Sequence, residues 1–265
     1  MTRPLCTIIT ATTGNPILRK CIESVMNQTH RPVQHLLFID GPNHSHKVYD
    51  TVDNIDWRNK DWLSGIGRPG DKGAEGYDLN VIDLPYATGT NRWNGHRMYA
   101  AGTFLAEGDY VMFLDDDNFL EPTHIEDCLK VIEAGNDWAY SLRNLVSPDG
   151  TSLGQDNCES LGKWASVLHP DDYFIDVNCY FMKRLVAVAM APVWYRQFRT
   201  PGQMEIDRAM IRVLTQQISN KYDCTYKYTV NYTVGNSPLS VQPDFFKQGN
   251  AEMLRRYNGV LPWQK

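Results

Sequence analysis

Three consecutive carboxylates, Asp115, Asp116 and Asp117, follow the apolar run Tyr110-Val111-Met112-Phe113-Leu114. Like charges this close raise one another's pKa and are costly unless something neutralises them. A divalent cation is the simplest neutraliser. Hard ions such as Mn²⁺ and Mg²⁺ prefer carboxylate, water and phosphate oxygens, and they commonly bridge one or two carboxylates to a substrate diphosphate. The plain alternative is a solvated acidic turn ahead of a helix. Position at the tip of the most hydrophobic strand in the chain favours a site.

The elements that must present this cluster can be read from periodicity. Cys6 to Thr10 is β-branched and apolar and stops at Thr12-Thr13-Gly14, which predicts a buried first strand. Asn15 can cap the next element and Pro16 fits its first turn, after which Ile17, Leu18, Cys21, Ile22, Val25 and Met26 recur at helical spacing. His35 to Ile39 reads as a second strand ending on Asp40 and Gly41. Asn43 to about Gly76 is polar, glycine-containing and aperiodic, so a long functional or disordered excursion is expected. Leu79 to Leu84 predicts a third strand, Gly95 to Leu105 a helix, and Tyr110 to Leu114 a fourth strand. Such alternation implies a mostly parallel sheet with right-handed crossovers, whose ligands lie beyond the carboxyl ends of the strands. Asp40 and the triple aspartate both fall at that edge.

Farther on, Thr123 and Glu126 have capping-box spacing for a helix that Gly135 can close. Trp138 to Val146 and Thr151 to Gln155 flank Ser147-Pro148-Asp149-Gly150 as a hairpin; Met204 to Ile218 predicts an amphipathic helix and Tyr226 to Val234 a last strand.

With 265 residues and no linker or repeat, a single domain is expected. The 26 basic and 31 acidic residues include no Lys/Arg block, which argues against nucleic acid as a partner. Cys6, Cys21, Cys128, Cys158, Cys179 and Cys224 show no metal spacing and read as buried thiols in a reducing compartment. The first apolar run, Leu5 to Ile9, is too short for a signal peptide, and nothing approaches the roughly 18 apolar residues of a membrane span. A cytoplasmic protein is the expectation.

FLDDDN (Phe113 to Asn118), preceded by AEGDYVM (Ala106 to Met112), resembles the core signature of family 2 glycosyltransferases of the GT-A fold; TATTGNPILRKCIESVM (Thr10 to Met26) is a shorter match. The resemblance spans about Leu5 to Leu214 and is most specific from Thr88 to Asn118. It implies an α/β, Rossmann-like GT-A domain with a central, mostly parallel sheet flanked by helices. Residues 1–118 would be the nucleotide-sugar-binding half, 119–235 the acceptor-binding half and 236–265 a C-terminal tail able to act as a lid. It also implies inverting transfer from a UDP- or GDP-sugar to a glycan or lipid-linked saccharide with Mn²⁺ or Mg²⁺. A lipid-linked acceptor would bring the enzyme to a membrane surface without a transmembrane segment.

Residue by residue, the resemblance puts Asp115 near the donor ribose, Asp117 on the metal and Asp116 behind them, with Asp115 counted beside Asp117 on the metal side. Asp40 resembles the carboxylate that hydrogen-bonds the nucleobase. Ala11 and Thr12 resemble the stretch packed against that base, with Thr10 counted beside them as donor-binding. The stretch Asn91 to Arg97 departs from the family pattern; Arg97 could complement the diphosphate through its guanidinium fork. The family's base opens a late helix, where GQMEIDRAM (Gly202 to Met210) separates Glu205 from Asp207 by Ile206. Two positions apart on a helix they face different ways, and Asp207, followed by Arg208, is preferred as base over Glu205. Asp176-Val177-Asn178-Cys179 reads either as acceptor-side lining or as a buried turn. The tail from Gly235 to Val241 with Phe245 and Phe246 could close over the donor. A nucleotidyltransferase would need a basic, glycine-rich loop after the first strand, which Thr10 to Asn15 lacks; a non-catalytic sugar-nucleotide- or glycan-binding relative is the other alternative.

Overall fold

The first strand, β1 (Cys6–Thr12), has six of its seven residues buried, as a strand covered on both faces must. The computed structural model describes residues 3–55, 76–91, 93–167, 173–195, 206–236 and 240–264. β1 lies between two parallel neighbours, β2 (Val33–Ile39) and β4 (Tyr110–Phe113), and β2 carries β3 (Tyr77–Asp83) in parallel on its far side. Between these strands run α1 (Leu18–Met26), α2 (Ser45–Asp53) and α3 (His96–Leu105). Asn15 does serve the start of α1, its Oδ1 accepting the Ile17 N–H at 3.0 Å. On α3, a Cβ at Gly102 would stand 2.6 Å from Ile9 Cγ2 and 3.0 Å from Phe38 Cε2. Glycine there lets the helix backbone settle onto β1 and β2, which brings Tyr99 against Phe113 with ring centroids 5.3 Å apart.

The second half adds β5 (Phe119–Leu120), α4 (His124–Glu133), β6 (Trp138–Val146), β7 (Ser152–Gln155), β8 (Tyr180–Lys183), α5 (Arg184–Trp194), α6 (Ile206–Val213), β9 (Tyr222–Thr233) and α7 (Pro243–Arg256). The sheet order is β3-β2-β1-β4-β8-β6-β9-β5, with β7 on β6. β8 is antiparallel to both β4 and β6, so β6 points the same way as β4. The carboxyl ends of β1, β2, β4 and β6 therefore share one edge. The sheet is parallel from β3 to β4 and between β6 and β9, and antiparallel around β8, β5 and the β6–β7 hairpin.

Several expectations change in detail. The stretch expected to be aperiodic from Asn43 opens instead as a 3-10 turn (Pro42–His44) and then α2, whose only buried residues are Val48 and Val52. Two apolar positions at i, i+4 are too few to register as a period. Residues 56–75, including Trp57 and Trp62, lie outside the described residues. The capping box at Thr123 does not form: its hydroxyl donates to Asp127 Oδ2 at 2.9 Å, while Glu126 pairs with Arg3 at 3.3 Å. Asp127, held also by Lys130 and Lys227, competes successfully for that hydroxyl. The last strand starts at Tyr222, four residues before the expected Tyr226, because Trp138 to Tyr140 extend the pairing. All six cysteines are free and buried, as expected. Among the described residues no helix is long and apolar enough to cross a membrane. The tail is anchored by Phe246, Met253, Leu261 and Trp263, each at most 2% exposed.

Candidate functional site

Beyond β4 the Leu114 N–H still bonds Ile9 O at 3.0 Å, and the chain then leaves the sheet through the three aspartates. Each carboxylate meets a different set of donors. Asp116 Oδ2 accepts from Thr12 Oγ1 at 2.6 Å and from the Asn15 N–H at 3.4 Å, and Thr12 Oγ1 in turn accepts the Gly14 N–H at 2.8 Å. Asp116 thus ties down the loop after β1. Asp115 receives the Tyr99 hydroxyl on Oδ1 and Asn178 Nδ2 on Oδ2, the latter at 2.9 Å. Asp117 receives Asn236 Nδ2 on Oδ2; among the described residues its other oxygen has no hydrogen-bond partner.

The three charges are therefore not left to a cation alone, as their crowding in the sequence implied. Hydrogen-bond donors compensate both oxygens of Asp115 and one of Asp116, and Asp117 is held by a single side-chain donor. Burial lifts Asp115 to about 6, with the Asp176 charge adding and the Tyr99 and Asn178 hydrogen bonds opposing. Burial also lifts Asp117 to about 7, reinforced by Asp115 and Asp116 and opposed by Asn236. Asp116 is raised by burial against the hydrogen bond from Thr12.

These shifts carry a sign for stability. Between about pH 4 and 7 the folded protein holds protons on Asp115 and Asp117 that the unfolded chain has released, so ionising them costs folded-state stability as pH rises. The expected result, in EDTA, is that Asp117→Asn gains melting temperature over the wild type on going from pH 5 to pH 7.5, by several degrees at about 2–4 °C per kcal/mol. Parallel melting curves for the two proteins across that range would contradict it.

The aspartates line one wall of a cleft of about 420 Å³, with Ala11, Thr12, Asp40, Gly89, Gly95 and Tyr99 among its other walls. Asp40 is 6% exposed, and its carboxylate accepts from the Thr88 N–H at 2.5 Å, Thr88 Oγ1 at 3.0 Å and the Gly89 N–H at 2.9 Å. A Cβ at Gly89 would sit 2.6 Å from Asp40 Oδ2, so this grip requires glycine. Asp40 thereby fixes the Thr88–Gly89 loop at the edge of the cleft. Ala11 and Thr12 reach the cleft; Thr10 lies beneath it, fully buried, with its hydroxyl 2.9 Å from His35 Nε2.

Arg97 stands behind the cleft wall. Its guanidinium lies 4.0 Å over the Trp93 ring, and Nη1 donates to Thr88 O at 3.4 Å. Asp207 falls in the first turn of α6, and its side chain, like all of Glu205, lies outside the described residues.

Three side chains that hold the cluster were not assigned to it from the sequence: Tyr99, which was not singled out, and Asn178 and Asn236, which lie in stretches read as acceptor-side lining or a buried turn and as a tail closing over the donor. Tyr99 looked like any aromatic on a helix face that meets the sheet. Asn178 belongs to the Asp176 to Cys179 stretch, which proves to be a buried 3-10 turn (Val177–Cys179) capped by Asp176. Asn236 comes 119 residues after its partner, and no local pattern could pair them. Among the described residues, no three His, Cys, Asp or Glu side chains form a ready-made metal cage.

Residues 80–183, from within β3 to the end of β8, match Glycosyl transferase family 2. No curated protein matches the chain. Among solved structures, residues 1–349 of S. aureus TarS superpose with a TM-score of 0.58 at 12% identity, covering 96% of this chain and 71% of that one. The same TarS fragment in complex with UDP gives 0.58 at 12%, covering 97% and 72%. In complex with UDP-GlcNAc it gives 0.59 at 12%, covering 95% and 66%. At such identity the likeness is one of fold, and it extends over nearly the whole chain. The stretch that carries Thr88 to Asn118 thus lies within the segment that matches Glycosyl transferase family 2, in an α/β domain of the GT-A fold.

Proposed function

We propose that this protein is a metal-dependent, inverting glycosyltransferase that moves a sugar from a UDP- or GDP-linked donor to a hydroxyl of a glycan or lipid-linked saccharide. The observation that carries this reading is Asp117: a cleft carboxylate lifted to about 7 and held by a single side-chain donor, Asn236, beside Asp115 with a donor on each oxygen and Asp116 bound through Oδ2 to the loop after β1. Such a group fits a hard cation that takes few protein ligands and completes its shell with phosphate and water oxygens. When bound, Mn²⁺ or Mg²⁺ would stabilise the charge of the departing diphosphate.

The chain's own residues do the rest. Ala11 and Thr12 offer a surface for the nucleobase, and Asp40 with the Thr88–Gly89 loop lines the cleft beside them. Asp115 meets the ribose, while Asp116 keeps the β1 loop in place. At the transfer step the acceptor oxygen bonds to the anomeric carbon, the carbon–oxygen bond to the diphosphate breaks, and Asp207 takes the acceptor proton. Arg97, stacked on Trp93, supports the donor side by holding the Thr88 carbonyl.

UDP is the first donor nucleotide to test, since the structures of like fold include TarS with UDP and with UDP-GlcNAc. A nucleotidyltransferase is disfavoured by the family match and by the lack of any Lys or Arg from Thr10 to Asn15. Calorimetry with UDP and GDP, with and without Mn²⁺, tests the reading: one nucleotide should bind, on the order of tenfold or more tighter with the metal. Binding of neither would refute it, and binding without any transfer to acceptors would indicate a non-catalytic relative.

A further inference from the structure

We infer that Asn178 is the positioning residue for Asp115, and that the buried pair Arg143–Asp176 is what holds Asn178 in place. The inference rests on the donor-site reading only for the consequence of Asp115's position, since the hydrogen bonds themselves do not depend on it. Asn178 is fully buried in the 3-10 turn that precedes β8. Its Oδ1 accepts the Asp115 N–H at 2.6 Å, and its Nδ2 donates to Asp115 Oδ2 at 2.9 Å and to Asp176 Oδ1 at 2.7 Å. Rotating the amide by half a turn would set Nδ2 against an N–H and Oδ1 against two carboxylates, so only one orientation is allowed. One amide thus fixes both the backbone and the side chain of Asp115, at the residue where the chain departs from the sheet.

Asp176 is equally constrained. Its Oδ1 accepts the Asn178 N–H at 3.0 Å, and its Oδ2 accepts Arg143 Nη1 at 2.6 Å. Arg143, on β6 and 1% exposed, spreads its guanidinium over Asp156 through Nε at 2.8 Å and Glu159 through Nη2 at 2.6 Å, and lies 4.0 Å over the Tyr232 ring. A planar fork held by three carboxylates and an aromatic face has no rotational freedom left. The chain Arg143–Asp176–Asn178–Asp115 carries that rigidity across two strand positions, from β6 past β8 to the tip of β4. Alternatives at position 178 fail on chemistry: aspartate would wedge a third carboxylate between two, and an aliphatic side chain would leave Asp115 Oδ2 without this donor.

A double-mutant cycle on UDP affinity with Mn²⁺, read alongside amide hydrogen exchange of the full chain, tests the inference. Asn178→Ala is expected to weaken UDP about 10–100-fold, the size of a lost hydrogen bond to a charged group. In an Asp115→Ala background the same change should cost no more than about threefold, because the carboxylate contact is gone and only the bond to the residue-115 N–H is left for Asn178 to act on. Asp176→Asn, which preserves shape and one contact to Arg143, should give a smaller loss of about 3–10-fold that likewise shrinks in that background. Independently of any nucleotide, the Asp115 amide should exchange at least about tenfold faster in Asn178→Ala while Val111 to Phe113 keep their protection. Losses that simply multiply in the double variants, or an unchanged Asp115 amide, would overturn the inference. If the wild type binds neither UDP nor GDP, the functional reading fails and the exchange result alone decides the role of Asn178.

Discussion

Asp117→Ala is expected to weaken Mn²⁺-dependent UDP binding by about 100-fold or more and to reduce transfer to background, since a metal ion at a diphosphate supplies several kcal/mol. Of the three aspartates, Asp117 is the one held by a single side-chain donor, Asn236, among the described residues. Asp115 has a donor on each oxygen, and Asp116 is committed to the loop after β1. The three alanine variants should therefore fail differently. Asp117→Ala should abolish the metal dependence itself, so that EDTA no longer changes what little UDP affinity remains. Asp116→Ala should loosen Thr12 and the base-facing wall while Mn²⁺ still enhances binding. Calorimetric titrations of UDP at several Mn²⁺ concentrations separate the two patterns. Tight UDP binding that ignored both EDTA and the loss of Asp117 would end the metal-bridge model.

The second large effect concerns the base. Asp207→Asn should lower turnover by roughly 10²–10⁴-fold, the range for losing a general base, while UDP affinity stays within about twofold. The change keeps the side chain's shape and removes only its ability to take the acceptor proton. Glu205→Gln, two residues earlier in the sequence, should leave turnover within about threefold. Single-turnover measurements at saturating donor give the comparison without interference from product release. A normal rate for Asp207→Asn would transfer the role to Glu205 or to another carboxylate facing the acceptor.

How far the site could be read in advance depended on the range of the interaction concerned. β1, β2 and β4 announced themselves because apolar runs bounded by turn residues are local signals, and their carboxyl ends carried Thr12, Asp40 and the aspartates to one edge. The helix α2 escaped notice because its buried face consists of Val48 and Val52 alone. Thr123 looked like a cap by spacing, yet its hydroxyl went to Asp127, whose other partners include Lys227 from β9. Asp40 was expected to offer its carboxylate to a nucleobase, and it spends much of that capacity on Thr88 and Gly89.

From residue order alone followed the strand–helix alternation, the sheet edge at which ligands gather, and the clustering of Asp115, Asp116 and Asp117 at its centre. These depend on hydrophobic periodicity and on covalent neighbourhood, which the chain carries before it folds. What folding alone decided was the use of each carboxylate. Tyr99, Asn178, Arg143 and Asn236 come from α3, the turn before β8, β6 and the segment after β9, and only the packed sheet brings them to the strand tip. Hydrogen bonds form over about 3 Å whatever the separation along the chain, so three identical residues in a row end in three different electrostatic environments.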